Sequence, residues 1–322
     1  MFLVIGSTTL DLIQRGIRQM PSARGDEFTV DSLVFCEEPT QMRFGGNGAN
    51  SAYALAKLGA TVALGSAIGR DAAGTLLAQP LQEIGVDLRG LLHHAGAATS
   101  VTTVLSDQAR NRFSFHHAGS SHAYTPADLP QALVQRTTAL LAASYTLFLR
   151  WRPDGFATLL QQVKAQGGIT ALDIGPAIGE PATLAEIAVF LPAVDYFLCN
   201  AHELAVCTGG EPTEAGLAQG MAQILRAGGG CVVIKRGAAG ALVQQRVDEA
   251  PLVVPGFPAT VPDTVGAGDS FNAGFLYAVS EGRDAVTAAH FANGVAALVI
   301  RSQRGVLGGP TADEVNALLD TQ

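Results

Sequence analysis

The fold of this chain is decided by residues 263–271, DTVGAGDSF, which lie late in its 322 residues. A Gly-Ala-Gly turn stands directly before the carboxylate of Asp269, and apolar residues then recur at helical spacing from Phe271 to Val279, before a cap position at Gly282. Such a turn exposes backbone N–H groups at the positive end of a helix dipole, where a phosphate or another oxyanion binds. A carboxylate that faces this anion is typical of a base that takes a proton from an attacking hydroxyl, which predicts phosphoryl transfer. The structural alternative is a helix start that an aspartate merely caps.

The composition limits the possible fold and function classes. With 48% hydrophobic and 15% charged residues, the chain can build a large core as one large α/β domain or two ordinary ones. A net charge of −8 argues against broad binding of nucleic acid or of an anionic membrane, so small-molecule ligands are predicted. The four cysteines have no C-x-x-C spacing and are interpreted as small buried residues in a reducing compartment. The apolar start has no cationic leader and no apolar run is long enough to span a membrane, so we expect a cytoplasmic protein.

Short apolar runs alternate with helical patterns along the chain. Repeated strand-then-helix order predicts a mostly parallel central sheet flanked by helices on both faces, a three-layer α/β fold whose ligands bind outside the carboxyl ends of the strands. The predicted buried strands are residues 2–5, 61–66, 145–149, 169–174, 196–199 and 231–235.

Two segments interrupt this alternation. Residues 28–35 and 101–115 are rich in Thr, Val and Phe, as an inserted hairpin or small sheet would be, or as extra edge strands would be. As a lid over the strand ends, they would exclude water from a transferring phosphoryl group. Apolar faces on such strands would pair between subunits, which predicts a homodimer through the lid. We therefore expect one domain over residues 1–322, with lid segments at approximately 12–38 and 97–117 inserted into it.

A second glycine-rich turn, GGNGAN at residues 45–50, precedes a helical run that ends at Gly59. It is not a dinucleotide fingerprint, because Ser51 occupies the third glycine position, and the chain contains no Walker A sequence. Glycines let the backbone approach a ligand, and Asn50 offers donors and an acceptor suited to a sugar hydroxyl. A plain helix start is an even alternative for this segment alone.

Four motifs in order carry a family resemblance over essentially the whole chain. GGNGAN and DTVGAGDSF, with NAHE at residues 200–203 and KRGAAG at residues 235–240 between them, resemble the signatures of the ribokinase-like (PfkB) carbohydrate kinase family. The resemblance implies a ribokinase-like three-layer fold with a small β-sheet lid, which transfers the γ-phosphate of ATP to a sugar hydroxyl with Mg²⁺ and a monovalent cation such as K⁺.

The resemblance also implies roles for individual residues at the phosphate and the acceptor. Asp269 matches the catalytic base, and the backbone of Gly266, Ala267 and Gly268 matches the anion hole for the γ-phosphate. Positions that hold the sugar hydroxyls are matched by Asp11, Gly45, Gly46 and Asn50.

Other matched positions concern the nucleotide and the cations. Glu203 matches a glutamate that organises magnesium through water, and Asn200 lies near the phosphates. The remaining matches are Lys235 and Gly237 at a strand end that contacts ATP, Asn293 beside the adenine, and Asp263 at the monovalent cation.

An aspartate is a weak base, and this constrains the mechanism. With an ordinary pKa near 3.9, Asp269 would be ionised at neutral pH but poorly matched to an alcohol. Proton transfer must therefore be late, and positioning and charge stabilisation must carry most of the rate in a loose transition state.

Histidines and one tryptophan are further candidates. His202 and Glu203 do not begin a zinc-protease helix, because Val206 replaces the second histidine. His116 and His117 are adjacent in a predicted strand and point to opposite faces, so they cannot share one metal. One of them lines the sugar pocket, or they lie at the surface or pack within the lid.

Arg150, Trp151 and Arg152 follow the predicted strand at 145–149 and are expected at the ligand edge. Trp151 lies roughly where relatives place a substrate contact, and a tryptophan between arginines suits a sugar face or an acid substituent. A tryptophan that plugs the domain edge is an equal alternative.

The acceptor is the open question. Thr9 stands where ribokinase-type enzymes carry an asparagine, so a fructose-like sugar or a keto-sugar acid is preferred over ribose. A nucleoside kinase is the alternative within enzymes, since Phe28, Phe35 and Phe113 could stack a base. A non-catalytic sugar or nucleotide sensor is a third possibility, which Asp269 disfavours because a binding module needs no base.

Overall fold

The computed structural model describes residues 1–17, 23–24, 27–28, 35–107, 112–259 and 265–321. Its strands are β1 (Phe2–Ile5), β2 (Thr9–Ile17), β3 (Ala23–Arg24), β4 (Glu27–Phe28), β5 (Gln41–Gly45), β6 (Val62–Gly69), β7 (Leu91–His94), β8 (Ser100–Asp107), β9 (Arg112–His117), β10 (Ala139–Ala142), β11 (Ile169–Asp173), β12 (Tyr196–Asn200), β13 (Cys231–Lys235), β14 (Ala241–Gln244) and β15 (Leu252–Val254). Its α-helices are α1 (Asn47–Lys57), α2 (Ala72–Glu83), α3 (Ser120–Ala123), α4 (Gln131–Gln135), α5 (Asp154–Ala165), α6 (Leu184–Ile187), α7 (Ala201–Thr208), α8 (Glu214–Arg226), α9 (Ala267–Ser280), α10 (Ala285–Ser302) and α11 (Ala312–Leu319).

The central sheet has the order β15-β14-β13-β12-β11-β10-β1-β6-β7. Strands β13 to β7 in this order pair in parallel, and β14 and β15 close one edge in antiparallel pairing. The middle strands are continuous apolar runs because both of their faces are covered: every residue of β6 and of β10 is buried. The predicted mostly parallel sheet is confirmed.

Helices cover the two faces of this sheet with separate cores. On one face α1, α9 and α10 supply buried side chains such as Leu55, Phe275 and Phe291. On the other face α5 and α8 supply Phe156 and Met221, among others. The predicted three-layer arrangement is therefore confirmed. In the described part of the chain, no helix combines the length and the apolar character that crossing a bilayer requires.

A separate four-stranded sheet has the order β5-β2-β8-β9, and we call it the small sheet. Strand β2 pairs antiparallel with β5 and parallel with β8, and β8 forms an antiparallel hairpin with β9. The predicted segment 101–115 lies on this hairpin. The predicted segment 28–35 lies mostly outside the described residues, so the proposed extent of the lid stays a prediction.

The predicted strand at residues 145–149 is wrong. The strand in this region is β10, whose short ALLA sequence ends at Ala142, and the chain then turns at Ser144 with a φ of 59° before a 3₁₀ turn over residues 149–151. Tyr145 and Phe148 are fully buried, because their side chains fill the core beside the strand end. Large apolar residues therefore marked core packing here, and the strand itself is the four-residue run of Ala and Leu before them.

The cysteines are only partly as expected. Cys199, Cys207 and Cys231 are buried, and burial raises the pKa of each thiol, so these three are inert core residues. Cys36 is exposed, so the interpretation of all four cysteines as buried is wrong at this position.

Candidate active site

Helix α9 begins at the carboxyl edge of the central sheet with an unusual backbone turn. Gly266, the residue before its first turn, has a φ of 79° and lies in the left-handed region, which a glycine adopts without strain. The first amides of a helix have no partner within the helix, and a glycine has no side chain to cap them. The buried side chains of Phe271 and Phe275 fix the helix behind this turn. The turn therefore presents Asp269, together with N–H groups that have no partner within the helix, at one end of a rigid element.

The two glycine-rich turns of the sequence meet at Asp269. Asn50 Nδ2, on the first turn of α1, donates to Asp269 Oδ2 at 2.8 Å, and Ser51 Oγ donates to the Asp269 carbonyl at 3.2 Å. The Asn47 side chain also hydrogen-bonds the Asp269 carboxylate. Asn50 Oδ1 is buried and has no hydrogen-bond partner within the described ranges. This oxygen is available to accept a hydrogen bond from a ligand hydroxyl.

Close backbone approach explains the glycines of the first turn. The amides of Gly48 and Ala49 both donate to the Ser7 carbonyl at 3.1 Å, which ties α1 to the end of β1. Gly46 has a φ of 94°, and a Cβ at this position would lie 2.8 Å from the Thr9 nitrogen and closer still to the Ser7 carbonyl. A Cβ at Gly45 would lie 2.5 Å from Asp11 Oδ2. These two glycines therefore let the loop pass against the start of β2.

Asp11 projects from β2 towards the same place. The pKa of this carboxyl is raised to about 6: burial and the nearby Asp269 carboxylate raise it, and they outweigh the Thr102 hydroxyl and the charge of Arg43, which lower it. The Asp269 carboxylate is near enough to act on Asp11 through its charge. The GGNGAN turn connects the two carboxylates, because it lies against Asp11 at Gly45 and binds Asp269 through Asn50.

A buried ion pair lies beneath the anion turn. Lys235 Nζ, at the end of β13, donates to Asp173 Oδ2 at 2.7 Å and to Asn272 Oδ1 at 3.0 Å, and Asn272 Nδ2 donates to the same Asp173 oxygen. A Cβ at Gly268 would lie 3.9 Å from Lys235 Nζ, so the ammonium group is beside the start of α9. Burial disfavours the charge, but Asp173 and the carboxylates around it outweigh burial and raise the pKa of Lys235. The ammonium is therefore a fixed positive charge at the turn.

Asn200 and Glu203 form a reciprocal capping box at the start of α7. The Asn200 amide donates to Glu203 Oε2, and the Glu203 amide donates to Asn200 Oδ1, both at 2.8 Å. Burial raises the pKa of Glu203, and the Asp173 carboxylate adds to this effect. The motif therefore has a structural role here, and its carboxylate also adds negative charge to the space in front of the strand ends.

The base candidate itself has a shifted pKa. Burial raises the pKa of Asp269, hydrogen bonds from Asn50 and Asn47 lower it, and the nearby charges of Asp173 and Lys235 act in opposite directions. The net direction is upward, which brings the carboxylate closer to the pKa of a useful base than an ordinary aspartate is. The mismatch between the pKa of an ordinary aspartate and that of an alcohol, noted from the sequence, is therefore smaller in the folded protein.

Two residues expected at the nucleotide lie further along the same edge. Gly237 is exposed, has a φ of 59°, and has open space around the position of a Cβ. Asn293 on α10 is buried, and its Nδ2 donates to the carbonyls of Val254 and Pro255 at 3.3 and 3.0 Å. Asn293 therefore holds the end of β15 against α10. Asp263, expected at a monovalent cation, lies outside the described residues.

Trp151 is not near Asp269. It is 1% exposed and packs among Tyr124, Phe148 and Phe156, on the opposite face of the central sheet from α9. This position favours the packing alternative over contact with a substrate, because the strand expected to place the tryptophan at the ligand edge is absent at 145–149. Arg150 is exposed in the turn before it.

Arg152 has a structural role in the same region. Its guanidinium donates to both carboxylate oxygens of Glu186, at 2.9 and 2.6 Å, and lies 4.9 Å from the ring centre of Tyr145. The bidentate pair ties the turn after β10 to α6.

Sequence reasoning missed Asp173, Asn272 and Thr102. Asp173 was visible as a charged residue inside the predicted buried strand 169–174, where a carboxylate needs a partner. Asn272 follows Asp269 by three residues and so shares its helix face. Thr102 had no sequence signal, because only the register of β2 with β8 places it beside Asp11.

Comparison with known proteins agrees with this geometry. A family model described as pfkB family carbohydrate kinase matches residues 3–312. The ATP-dependent ribose-1-phosphate kinase of Halopiger xanaduensis is 29% identical over 275 residues, 85% of this chain and 86% of that protein. The nucleoside kinase of Methanothermobacter thermautotrophicus is 24% identical over 302 residues, 94% of this chain and 89% of that protein.

A solved structure extends the comparison to the fold. The ribokinase of Arabidopsis thaliana, complexed with ribose and ATP, superposes with a TM-score of 0.84 at 25% identity and covers 99% of this chain and 98% of that one. The family resemblance and the ribokinase-like fold are thereby confirmed. Because the family model spans nearly the whole length, this chain belongs to the pfkB family of carbohydrate kinases, and it is a sugar or nucleoside kinase, a phosphotransferase with an alcohol group as acceptor.

Proposed function

We propose that this enzyme transfers the γ-phosphate of ATP to a hydroxyl of a small sugar, with Asp269 as the general base. The observation that carries the proposal is the hydrogen bond between Asn50 and Asp269, which joins the two glycine turns directly behind free helix amides. Asp11 faces this pair from the small sheet, so an acceptor between them is held by two carboxylates and an amide.

The proposed chemistry divides between side chains and main chain. Asp269 accepts the proton of the acceptor hydroxyl, and its raised pKa makes this transfer less uphill. The amides of Gly266, Ala267 and Gly268 stabilise the charge that develops on the transferring phosphoryl group, at about 3 kcal/mol for each well-placed donor. Lys235 adds a fixed charge beside Gly268.

The acceptor-binding loop has a separate role in this proposal. Gly45 and Gly46 let the backbone pass close to Asp11, and Asn50 Oδ1 accepts a hydrogen bond from a sugar hydroxyl. A carboxylate, an amide oxygen and backbone groups together match the donors and acceptors of a polyol. The loop therefore orients the attacking hydroxyl towards the anion turn.

Magnesium fits the charges of the site. Three carboxylates surround one lysine: those of Asp173, Glu203 and Asp269. Burial raises the pKa of Glu203, which indicates that its negative charge is not fully balanced by its surroundings. A divalent cation relieves such an excess, and Glu203 would hold it through water. When bound, Mg²⁺ neutralises phosphate charge. We retain Asp263 as the proposed contact to a monovalent cation such as K⁺.

ATP is the proposed donor. Gly237 leaves open space at the end of β13, where the phosphates and ribose of a nucleotide could pass, and Asn200 lies at the neighbouring strand end. Asn293 would lie beside the adenine, although its Nδ2 already holds β15. The relative from Arabidopsis thaliana binds ATP on the same fold. Because ATP is the donor, we propose the cytoplasm as the compartment.

A keto-sugar acid or a fructose-like sugar is the preferred acceptor. A cavity of about 170 Å³ at the edge of the small sheet is lined by Arg43 and Arg304 together with Asn50 and Gly266. Two guanidinium groups beside the acceptor space suit an anionic substituent. For the alternative, a nucleoside kinase, Phe113 gives no support, since strand alternation puts it on the face of the small sheet opposite Asp11.

An acceptor panel tests the proposal. ATP consumption is followed by a coupled assay with D-fructose, 5-dehydro-2-deoxy-D-gluconate, D-ribose, ribose 1-phosphate and adenosine. The proposal predicts the highest kcat/KM with the keto-sugar acid or with fructose. A preference for adenosine would favour the alternative that the enzyme is a nucleoside kinase. The absence of turnover with every compound would contradict the sugar-kinase proposal.

The variant Asp269→Asn tests the assigned base. The amide keeps the shape and the contact with Asn50 but cannot take a proton, so kcat should fall by about 10³-fold or more while ATP affinity stays within a few-fold. ATP affinity is measured by calorimetry without acceptor. An Asn variant that keeps the full rate would show that Asp269 is not the base.

We also propose a homodimer formed through the small sheet. On the face opposite Asp11, Met42, Phe113 and Phe115 are 64%, 60% and 60% exposed. Met42 lies on β5 and the two phenylalanines lie on β9, the two edge strands of the small sheet. Several exposed apolar side chains on one face of a sheet are typical of an interface. Light scattering of the wild type should give a dimer, and Phe115→Ser should shift the mass towards the monomer; a monomeric wild type would refute the proposal.

A further inference from the structure

One row of polar side chains crosses the small sheet on the face that carries Asp11. The strand register pairs Asp11 with Arg43 on one side and with Thr102 on the other, and pairs Thr102 with His116. Paired residues in neighbouring strands point to the same face, so the four side chains lie side by side. The row begins at the acceptor cavity and ends at the outer strand β9.

Close polar contacts connect three members of this row. Thr102 Oγ1 lies 3.1 Å from His116 Nδ1, and the Thr102 hydroxyl, on the residue paired with Asp11, lowers the pKa of the Asp11 carboxyl as a hydrogen-bond donor does. Arg43 acts on Asp11 from the other side through its charge. Asp11 is therefore held from both sides along the sheet.

Donor counting fixes the direction of this chain. A threonine hydroxyl has one hydrogen, and the ionised Asp11 carboxylate can only accept, so Thr102 donates to Asp11. Thr102 Oγ1 must then accept from His116, which requires the proton on Nδ1. Partial desolvation and the nearby His122 and His117 lower the pKa of His116, which favours the neutral ring that this direction requires.

We infer that Thr102 and His116 are positioning residues for the acceptor: the chain His116–Thr102–Asp11 orients the Asp11 carboxylate towards the sugar hydroxyls. This inference rests on the proposed role of Asp11 in acceptor binding. It assigns acceptor recognition to strands β8 and β9, which are separated from Asp11 by about ninety or more residues of sequence.

Matched substitutions on the two faces of the small sheet test the inference. Thr102→Val keeps the shape and removes the hydroxyl, so the acceptor KM should rise about tenfold while the ATP KM stays within about twofold. Thr103→Val, the same change one residue later on the opposite face, should leave both constants unchanged. Equal KM values for the two variants would overturn the inference.

The histidine has its own matched set. His116→Leu should raise the acceptor KM several-fold, and His116→Asn should restore most of the loss, because an asparagine amide can replace the Nδ1 donor. His117→Leu, on the opposite face, is the control. The donor chain would be refuted if His116→Asn did not restore the acceptor KM that is raised in His116→Leu, and Thr102→Val also left the acceptor KM unchanged.

A pH profile separates positioning from general structural damage. The Thr102 hydrogen bond lowers the pKa of Asp11, so Thr102→Val should shift the acidic limb of acceptor kcat/KM to higher pH. Asp269 and Arg43 also face Asp11 and are unchanged in this variant. An acidic limb at the same pH as in Thr103→Val would count against the inference.

Direct titration distinguishes failure of this inference from failure of the proposed function. The Asp11 carboxyl is titrated by ¹³C NMR in wild type, Thr102→Val and Thr103→Val, with Asp11→Asn to assign the signal. If no acceptor of the panel is phosphorylated, the sugar-kinase proposal fails, yet an upward shift of the Asp11 pKa in Thr102→Val alone still supports the chain. An unchanged pKa overturns it.

Discussion

The phosphate side and the acceptor side of the site are built in different ways. On the phosphate side, one continuous segment supplies the turn Gly266–Gly268, the carboxylate of Asp269 and the first amides of α9. On the acceptor side, Asp11, Asn50 and Thr102 come from three elements that only the folded sheet brings together. In the proposed function, main-chain groups bind the transferring phosphoryl group and side chains bind the acceptor.

This difference explains how the family can change its acceptor. A helix start needs only its glycines and a dipole to bind phosphate, so it tolerates little change in sequence. A row of side chains across a sheet can be replaced residue by residue without moving the strands. The relatives of this chain phosphorylate ribose 1-phosphate and nucleosides, as their names state, on one fold.

After Asp269→Asn, the largest effect is expected from the charge at the phosphate side. In the double variant Lys235→Met/Asp173→Asn, kcat should fall about 10²-fold because the fixed ammonium beside Gly268 is lost, while the acceptor KM stays within about threefold. Asp173 is changed together with Lys235, because a buried carboxylate without its partner would destabilise the fold by about 3–5 kcal/mol. Steady-state kinetics measure both constants.

A second ion pair is the control for this variant. Lys164 pairs with Asp195, which directly precedes β12 and so lies at the opposite edge of the sheet from the site. Lys164→Met/Asp195→Asn should leave kcat unchanged. If the two double variants lose activity equally, or neither does, Lys235 has no special role at the phosphate.

Much of the fold was predictable, because its signals are local. The runs at residues 2–5 and 231–235 coincide with β1 and β13, and the glycine turn with helical spacing behind it gave α9. The strand at 145–149 was predicted wrongly, because large buried residues such as Tyr145 fill a core while the true strand is the short ALLA of β10. A pattern of apolar residues shows which residues are buried, but it does not distinguish a strand from a turn that packs in the core.

The sequence likewise predicted some residues of the site and missed others. Asp269 and its glycines stand next to each other in sequence, and the structure brings Asn50, from the other glycine-rich motif, to them. Thr102 and Asp173 were missed, because their roles depend on strand register and on a partner more than sixty residues away. Trp151 was placed at the ligand edge partly through the wrong strand, and packing at the domain edge was the equal alternative.

A smaller effect should come from the loop that joins the two sides. Gly46 and Gly59 have nearly the same φ, 94° and 95°, but a Cβ on Gly46 meets the Ser7 carbonyl and a Cβ on Gly59 meets nothing within 4 Å. Gly59→Ala should reduce the free energy of unfolding by about 1 kcal/mol, and Gly46→Ala by about 2 kcal/mol more. Chemical denaturation measures both, and equal losses would show that the loop can move away from Ser7.

The smallest effect is expected from Asp11→Asn, which should weaken acceptor binding but stabilise the fold. Asp11→Asn should raise the acceptor KM about tenfold, because the amide is a weaker acceptor for sugar hydroxyls than a carboxylate. The same variant should be more stable than wild type at pH 7.5 by about 1 kcal/mol, since an ionised carboxylate is no longer held beside Asp269.

The sign follows from the raised pKa of Asp11. Its carboxyl binds a proton more tightly in the folded state, with a pKa of about 6, than in the unfolded chain, where 3.8 applies. Folding stability from this group is therefore full below pH 3.8, declines as the pH rises to about 6, and stays low above it. Asn has no such dependence, so the stability gap between variant and wild type should widen from pH 4 to pH 7.5, with Arg43 and Asp269 unchanged. A constant stability difference would mean that folding does not raise the pKa of Asp11. The acceptor side would then tolerate substitutions as an ordinary protein surface does.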